Sequence, residues 1–261
     1  MSDRVAVAKM HGARNDFVVI DGRTQPIADP VKLAQALCDR RTGIGADGLL
    51  IVDRAQRGDV AMRVINADGS EAEMCGNGVR CVARFLDERG EGGELAVDTL
   101  AGVIKTTVVE RGDTYLVRVD MGIPRVRDDV VSIGDAIVVD TGNPHLVLFR
   151  RSLDGVELSM LGDALQKHSN FPEGVNVHVA VVPDHAHIEM RHYERGVGLT
   201  MACGTGAVAA VAAAIDRGFA ASPVAVRVPG GDLTIEIDEE GRAFMTGPAV
   251  HVFDATIDAI R

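Results

Sequence analysis

Two stretches decide how this chain is read: AEMCGNGVRC, Ala72–Cys81, and MACGTGAVAA, Met201–Ala210. Each sets Cys-Gly-x-Gly ahead of a run rich in alanine and valine. The pattern predicts helices over GNGVRCVARFLDERG (76–90) and GTGAVAAVAAAIDRG (204–218), beginning near Asn77 and Thr205 and each closed by a glycine suited to a helix C-terminus. The second is apolar nearly all round, the pattern of a helix buried centrally. Cys75 and Cys203 stand 128 positions apart, about half the chain.

Around these helices, short Val- and Ile-rich runs bounded by Gly, Asp or Asn read as strands. DFVVID, GLLIVD, VAMRVIN, ELAVDT, GVIKTTVVE and TYLVRVDMG form one series, and AIVVDTG, HLVLFR, NVHVAVV, HIEMRHY, VAVRVPGG and LTIEID another. PVKLAQALCDR adds an amphipathic helix with Val31, Leu33, Ala34, Leu37 and Cys38 on its apolar side. The reading is an α+β protein of two similar halves, each a sheet wrapped around one apolar helix. MGIPRVRDD (121–129) is the best boundary.

Composition narrows the function. A net charge of −11 and aromatic content of 3% with no Trp argue against a nucleic-acid partner. No apolar run reaches the roughly 18 residues of a membrane span. The start, MSDRVAVAKMHG, lacks the apolar core of a secretion signal, so a cytosolic home is the expectation. Four scattered cysteines make neither a disulfide framework nor a Cys-x-x-Cys metal site. His185, His187 and His192 alternate as in a strand and read as surface or packing residues.

The chemistry lies at the helix starts. A helix N-terminus offers unpaired N–H groups to an anion, and glycine lets a ligand approach the backbone. A cysteine there is a stabilised thiolate. Two thiols on one α-carbon suit cofactor-free inversion, with a base on one face and an acid on the other. A buried cysteine is commonly just a small core residue, and Cys38 and Cys81 read that way. Repetition of Cys-Gly-x-Gly favours function for Cys75 and Cys203, since packing alone gives no evident reason for it.

The chain resembles the diaminopimelate epimerase family nearly end to end. The blocks that carry this are KMHGARNDFVVID, GADGLLIV, NADGSEAEMCGNGVRC, TLAGVIK, VDMGIP, GNPHLV, FPEGVNV, HYERGVGLTMACGTGA, VPGG and MTGPAVHVFD. The resemblance implies two pseudo-twofold-related domains, residues 1–122 with a returning segment 245–261 and residues 123–244. Each is a barrel-like, mostly antiparallel sheet around a central helix, with the active site between them. It implies Cys75 and Cys203 as the acid/base pair, supported by His145 and Glu194. Gly76, Asn77, Gly204 and Thr205 would surround the reacting carboxylate. Asn15, Asn66, Asn143, Asn176 and Glu194 would contact substrate, and Arg195 would take the distal carboxylate. It implies no metal or cofactor, an amino-acid substrate and a homodimer.

Four positions depart from the pattern: Arg14 beside the site, Gly48 for a Gln of some members, Leu199 for a frequent Glu, and Phe253 for an interface Tyr. A racemase of histidine or proline, a non-catalytic amino-acid-binding protein and a thiol-redox protein are the competing readings. If the two sulfurs face one another, activity should depend on reductant.

Overall fold

The computed structural model describes residues 4–127 and 134–258. The last two residues of the boundary stretch MGIPRVRDD lie outside them. The chain divides into two compact units, residues up to Val119 with those from Pro248 onward, and Asp120–Gly247.

In chain order the first unit holds β1 (Arg4–Gly12), β2 (Asn15–Asp21), α1 (Pro30–Cys38), β3 (Gly48–Asp53), β4 (Val60–Asn66), β5 (Glu71–Ala72), α2 (Gly76–Asp87), β6 (Glu94–Thr99), β7 (Gly102–Glu110) and β8 (Leu116–Gly122), which runs on into the second. The second holds β9 (Arg125–Val126), β10 (Ile137–Asp140), β11 (Pro144–Phe149), α3 (Leu158–Leu165), β12 (Asn176–Asp184), β13 (His187–Glu194), β14 (Gly198–Thr200), α4 (Gly204–Asp216), β15 (Val224–Val228), β16 (Gly231–Ile237) and β17 (Ala243–Pro248). The chain then returns through β18 (Val250–Asp258), which pairs antiparallel with β1.

The first sheet runs β18-β1-β2-β3-β4-β6-β7-β8. The second runs β9-β10-β11-β12-β13-β15-β16-β17. In both, the third and fifth junctions are parallel and the rest antiparallel. Both also place one helix in the first parallel crossover, α1 or α3, and one in the second, α2 or α4. The halves therefore share one topology. The sequence signals do not mark α3, β1, β17 or β18 as elements, nor the short β5, β9 and β14.

The parallel crossovers explain why some strands are apolar on both faces. In β2 and β3, Val18, Ile20, Leu49 and Ile51 pack outward on Ala34, Leu37 and Cys38 of α1. In β11 and β12, Leu146, Leu148, Val177 and Val179 pack outward on Leu158 of α3. The alternate residues face inward. α2 touches β1, β2, β3, β4, β6, β7 and β18 of its own unit, and α4 touches β9, β10, β11, β12, β13 and β16 of its own. Each sheet thus curves around its central helix.

Local signals place the helices. Asp29 caps α1, accepting from Lys32 N–H at 3.0 Å, with Pro30 in the first turn. Gly90 and Gly218, just past α2 and α4, take φ +78° and +71°, the left-handed ends expected of them.

The β1–β2 hairpin is closed by Ala13 and Arg14, flanked by the pair Gly12↔Asn15. Both turn residues take positive φ, 50° and 63°, as a two-residue primed turn requires. Neither is glycine, so each carries a Cβ penalty. Arg14→Gly is therefore expected to stabilise the fold by about 0.5–1 kcal/mol, the penalty less the entropy of the added glycine. Urea midpoints of the two proteins check this.

Candidate active site

Strand parity and the helix starts assemble two clusters, one in each unit. Helix α2 begins at Gly76 with Cys75 as N-cap in extended conformation, and α4 begins at Gly204 with Cys203 as N-cap. The first intrahelical bonds are Val79 N–H to Cys75 C=O, 2.8 Å, and Ala207 N–H to Cys203 C=O, 2.9 Å. The N–H groups of 76–78 and 204–206 therefore precede the helical ladder.

In the first cluster, Asn15 Nδ2 donates to Asp47 Oδ2 at 2.8 Å, and Arg40 pins the other oxygen of Asp47 at 2.7 Å. This turns Asn15 Oδ1 toward α2, where it accepts from the Cys75 thiol at 3.6 Å and from Asn77 Nδ2 at 3.2 Å. Asn77 Oδ1 accepts from Arg80 at 2.8 Å. Arg80 is fully buried inside α2 and also donates to the Pro248 carbonyl at 3.1 Å. Burial lowers its pKa to about 10, so it remains a cation at neutral pH, and a negative charge on Cys75 would attract it. Asn66 stands apart, its amide donating to Ser70 Oγ at 2.9 Å.

In the second cluster the inward positions of three adjacent strands are His145, His178 and His192, all buried. His145 Nε2 lies 2.8 Å from Asn143 Oδ1, His145 Nδ1 lies 2.8 Å from His178 Nε2, and His178 Nδ1 lies 3.3 Å from His192 Nδ1. Neutral rings fit this chain in one direction, each N–H pointing toward Asn143. His192 Nε2 ends it with no partner among the described residues. Cys203 is buried, and its sulfur accepts from Gly206 N–H at 3.4 Å and lies 3.5 Å from Thr205 Oγ1. Burial, then the nearby charge of Glu194, push its thiol well above the usual range. Glu194 is held by Thr200 Oγ1 at 2.5 Å.

Asn176 differs from its expected part. Its amide donates to the Pro144 carbonyl at 3.2 Å and accepts from Arg195 N–H at 2.9 Å, so both ends serve the backbone. Arg195 is exposed, its stem lying over Gly174, where a Cβ would meet it at 3.1 Å. Gly48 pairs with Asn66, and a Cβ there would meet Ile65 C=O at 2.9 Å, so the backbone leaves no room for a longer residue. Leu199 is exposed on β14 and Phe253 is exposed on β18.

Packing does explain one glycine of each repeated motif. A Cβ on Gly78 would lie 3.0 Å from Leu50, and one on Gly206 would lie 2.3 Å from His178. The central helix crosses its sheet closely at this turn, with no room for a side chain at Gly206 and a tight fit at Gly78, contrary to the expectation that packing gives no reason for the repeat. Cys38 and Cys81 behave as core thiols, with burial pushing them up to about 11 and about 12. His187 is exposed, whereas His192 joins the buried chain through His178, which the sequence reading overlooked.

Burial holds His145 and His192 near about 3, and His178 well below its ordinary 6.5. An unfolded chain binds protons on these rings below about pH 6.5 that the folded state refuses, on His145 and His192 until about pH 3. Stability is therefore fully present above 6.5 and falls as pH is lowered through that window, by up to about 1.4 kcal/mol per pH unit per histidine. Urea midpoints from pH 7 to 5 should fall, and less steeply in His192→Val.

The fold is that of amino-acid epimerases and their relatives. It resembles a phenazine biosynthesis protein of the PhzF family from Bacillus anthracis (TM-score 0.76, 17% identity, 97% of this chain and 99% of that one). It also resembles a hydroxyproline epimerase from Agrobacterium vitis (TM-score 0.73, 16% identity, 99% and 94%). The family model of diaminopimelate epimerase matches residues 7–126 and 137–252. A diaminopimelate epimerase of Desulfitobacterium hafniense is 41% identical over 96% of this chain and 97% of its own length. The chain belongs to the diaminopimelate epimerase family.

Proposed function

We propose that this protein interconverts LL- and meso-2,6-diaminopimelate by a two-base mechanism on thiols. The observation that carries the reading is that Cys75 and Cys203 each cap the central helix of one half, in a chain that matches the family over almost its whole length. The two caps differ in charge. Cys75 neighbours the buried cation Arg80, whereas Cys203 neighbours the anion Glu194 and donates to it. This charge difference supports Cys75 as the resting thiolate, which gives up the thiol's donation to Asn15 Oδ1, and Cys203 as the resting thiol.

In this reading Cys75 removes the α-proton, and the electron pair delocalises into the substrate carboxylate. Cys203 delivers its proton to the opposite face. The N–H groups of Gly76, Asn77, Gly204 and Thr205 would stabilise the charge that develops. Asn15 and Asn77 hold the Cys75 side, and Glu194 with Thr200 holds the Cys203 side. Asn143 and His145 would form the polar wall beside the reacting groups, and Asn66 would contact substrate. Asn176 positions Arg195, whose guanidinium would take the distal carboxylate. After one turnover the charges on the two sulfurs are exchanged, and that form accepts the opposite stereoisomer.

This chemistry calls for no pyridoxal, metal or nucleotide. The same reading includes reductant-dependent activity, a cytosolic location suited to thiols, and a homodimer. No helix of the described residues is long and apolar enough to cross a membrane. Val252 and Phe253, 53% and 43% exposed on β18, are apolar residues a second copy would cover. Turnover of LL-diaminopimelate alongside proline and histidine tests the substrate. Diaminopimelate should be preferred strongly, and equal turnover of proline would overturn the assignment of Arg195.

A further inference from the structure

The three buried histidines of the second unit have no counterparts in the first. The pairs His145↔Asn176 and Val147↔His178 correspond in topology to Phe17↔Gly48 and Val19↔Leu50, and His178↔His192 corresponds to Leu50↔Val64. The same fold thus buries Phe17, Leu50 and Val64 where the second unit buries His145, His178 and His192. Packing does not require imidazoles there. One ring nitrogen of His145, one of His178 and Sγ of Cys203 lie within 4.8 Å of one another, all three residues buried.

We propose that His145, His178 and Cys203 form a binding site for a thiophilic divalent cation of the Zn²⁺ class, and that the cation inhibits the enzyme. Two imidazoles and a thiolate are a borderline-soft donor set, and three protein ligands leave one position open to water. The ligand pair is the two facing nitrogens, Nδ1 of His145 and Nε2 of His178, now 2.8 Å apart. Tetrahedral bonds of about 2.0–2.1 Å to each would open them to about 3.3 Å and draw the sulfur inward.

The histidine chain can release this pair. In the direction that ends at Asn143, His178 Nε2 carries the proton and cannot bind metal. Reversing the link between His178 and His192 moves that proton to His178 Nδ1, which then donates to His192 Nδ1, while His192 carries its own proton on Nε2. His192 Nε2 has no partner in the first arrangement, so nothing there locks the tautomer. His145 keeps its N–H on Asn143 throughout. The reversed chain leaves two lone pairs facing one another, which a cation satisfies. Binding then releases one proton per metal, that of the Cys203 thiol.

Binding itself stands independently of the proposed reaction, and inhibition rests on it, because the cation holds the sulfur that must deliver a proton. The test is titration of the metal-free, reduced protein with Co²⁺, followed through thiolate-to-cobalt charge-transfer absorption. One Co²⁺ per chain should bind, Zn²⁺ should displace it, and Zn²⁺ should inhibit turnover reversibly with chelator. His178→Leu, the residue used at the matching place in the other half, and His178→Asn should each weaken binding more than about a hundredfold, beyond what outer-shell changes usually cost. Their zinc sensitivity, read against each variant's own metal-free rate, should fall in step. Cys203→Ser should lose the charge-transfer band, and Cys75→Ala should keep it. Unchanged binding in both His178 variants, loss of the band in Cys75→Ala, or no cobalt bound to the reduced wild type would each overturn the proposal. A protein that binds cobalt as described yet does not turn over diaminopimelate would sink the functional reading and leave the site standing.

Discussion

Cys203→Ser is expected to lower turnover by about 10²–10⁴-fold, the range of a positioned general acid or base, with the fold retained. Serine preserves size and the bond from Gly206 N–H, so stability should change little. It removes a group acidic enough to deliver a proton to a carbanion. Cys75→Ser should cost as much, and the double variant should lose little more, because the two groups act as a unit. Their chemical reactivity should differ. Under the proposed roles Cys75, beside Arg80, is the thiolate and should be alkylated first by iodoacetamide. Cys203, buried beside Glu194, should be spared. Peptide mass spectrometry after brief alkylation reads this directly, and preferential labelling of Cys203 would reverse the assigned roles.

Gly206→Ala should show the second large effect. The added methyl would lie 2.3–2.9 Å from three atoms of the His178 ring, which is fully buried and has nowhere to go. Overpacking of this kind costs about 1–3 kcal/mol. The shift would also disturb the first turn of α4, where Gly206 N–H meets the Cys203 sulfur. A displacement near 1 Å can cost about 10²-fold in rate, which is the loss expected here. Combining Gly206→Ala with His178→Ser removes the obstructing ring and should restore most of the stability. A double-mutant cycle with no coupling would show that the collision is not the cause. Gly78→Ala should be milder, since its nearest neighbour is the flexible end of Leu50 at 3.0 Å.

Much of this was legible in the sequence because the signals were local. Cys-Gly-x-Gly, an apolar run and a closing glycine suffice to place α2 and α4. Extended apolar runs suffice for β2, β3, β11 and β12. Helix α3 escaped because LSMLGDAL is short, carries Gly162 at its middle and exposes Met160. Only the doubled topology, with α1 in the matching crossover, would have revealed it. β1 escaped because RVAVAKMHG holds only two β-branched residues, both valines, among alanines and the polar Arg4, Lys9 and His11. His178 and His192 looked like ordinary strand positions. Their importance depends on which face of the sheet meets α4, and strand register fixes that only once the partners are known. The part played by Asn176 was hidden for the same reason, since both groups it joins belong to neighbouring strands and turns.

The most direct test of the central claim is one turnover of LL-diaminopimelate in D₂O, with both product and recovered substrate analysed by mass spectrometry and NMR. A base and an acid on opposite faces predict one solvent deuterium at the inverted α-carbon of the meso product. They also predict that substrate recovered early retains its hydrogen, because Cys75 returns the proton it took. Meso product without deuterium, or substrate that gains deuterium as fast as product forms, would contradict the account.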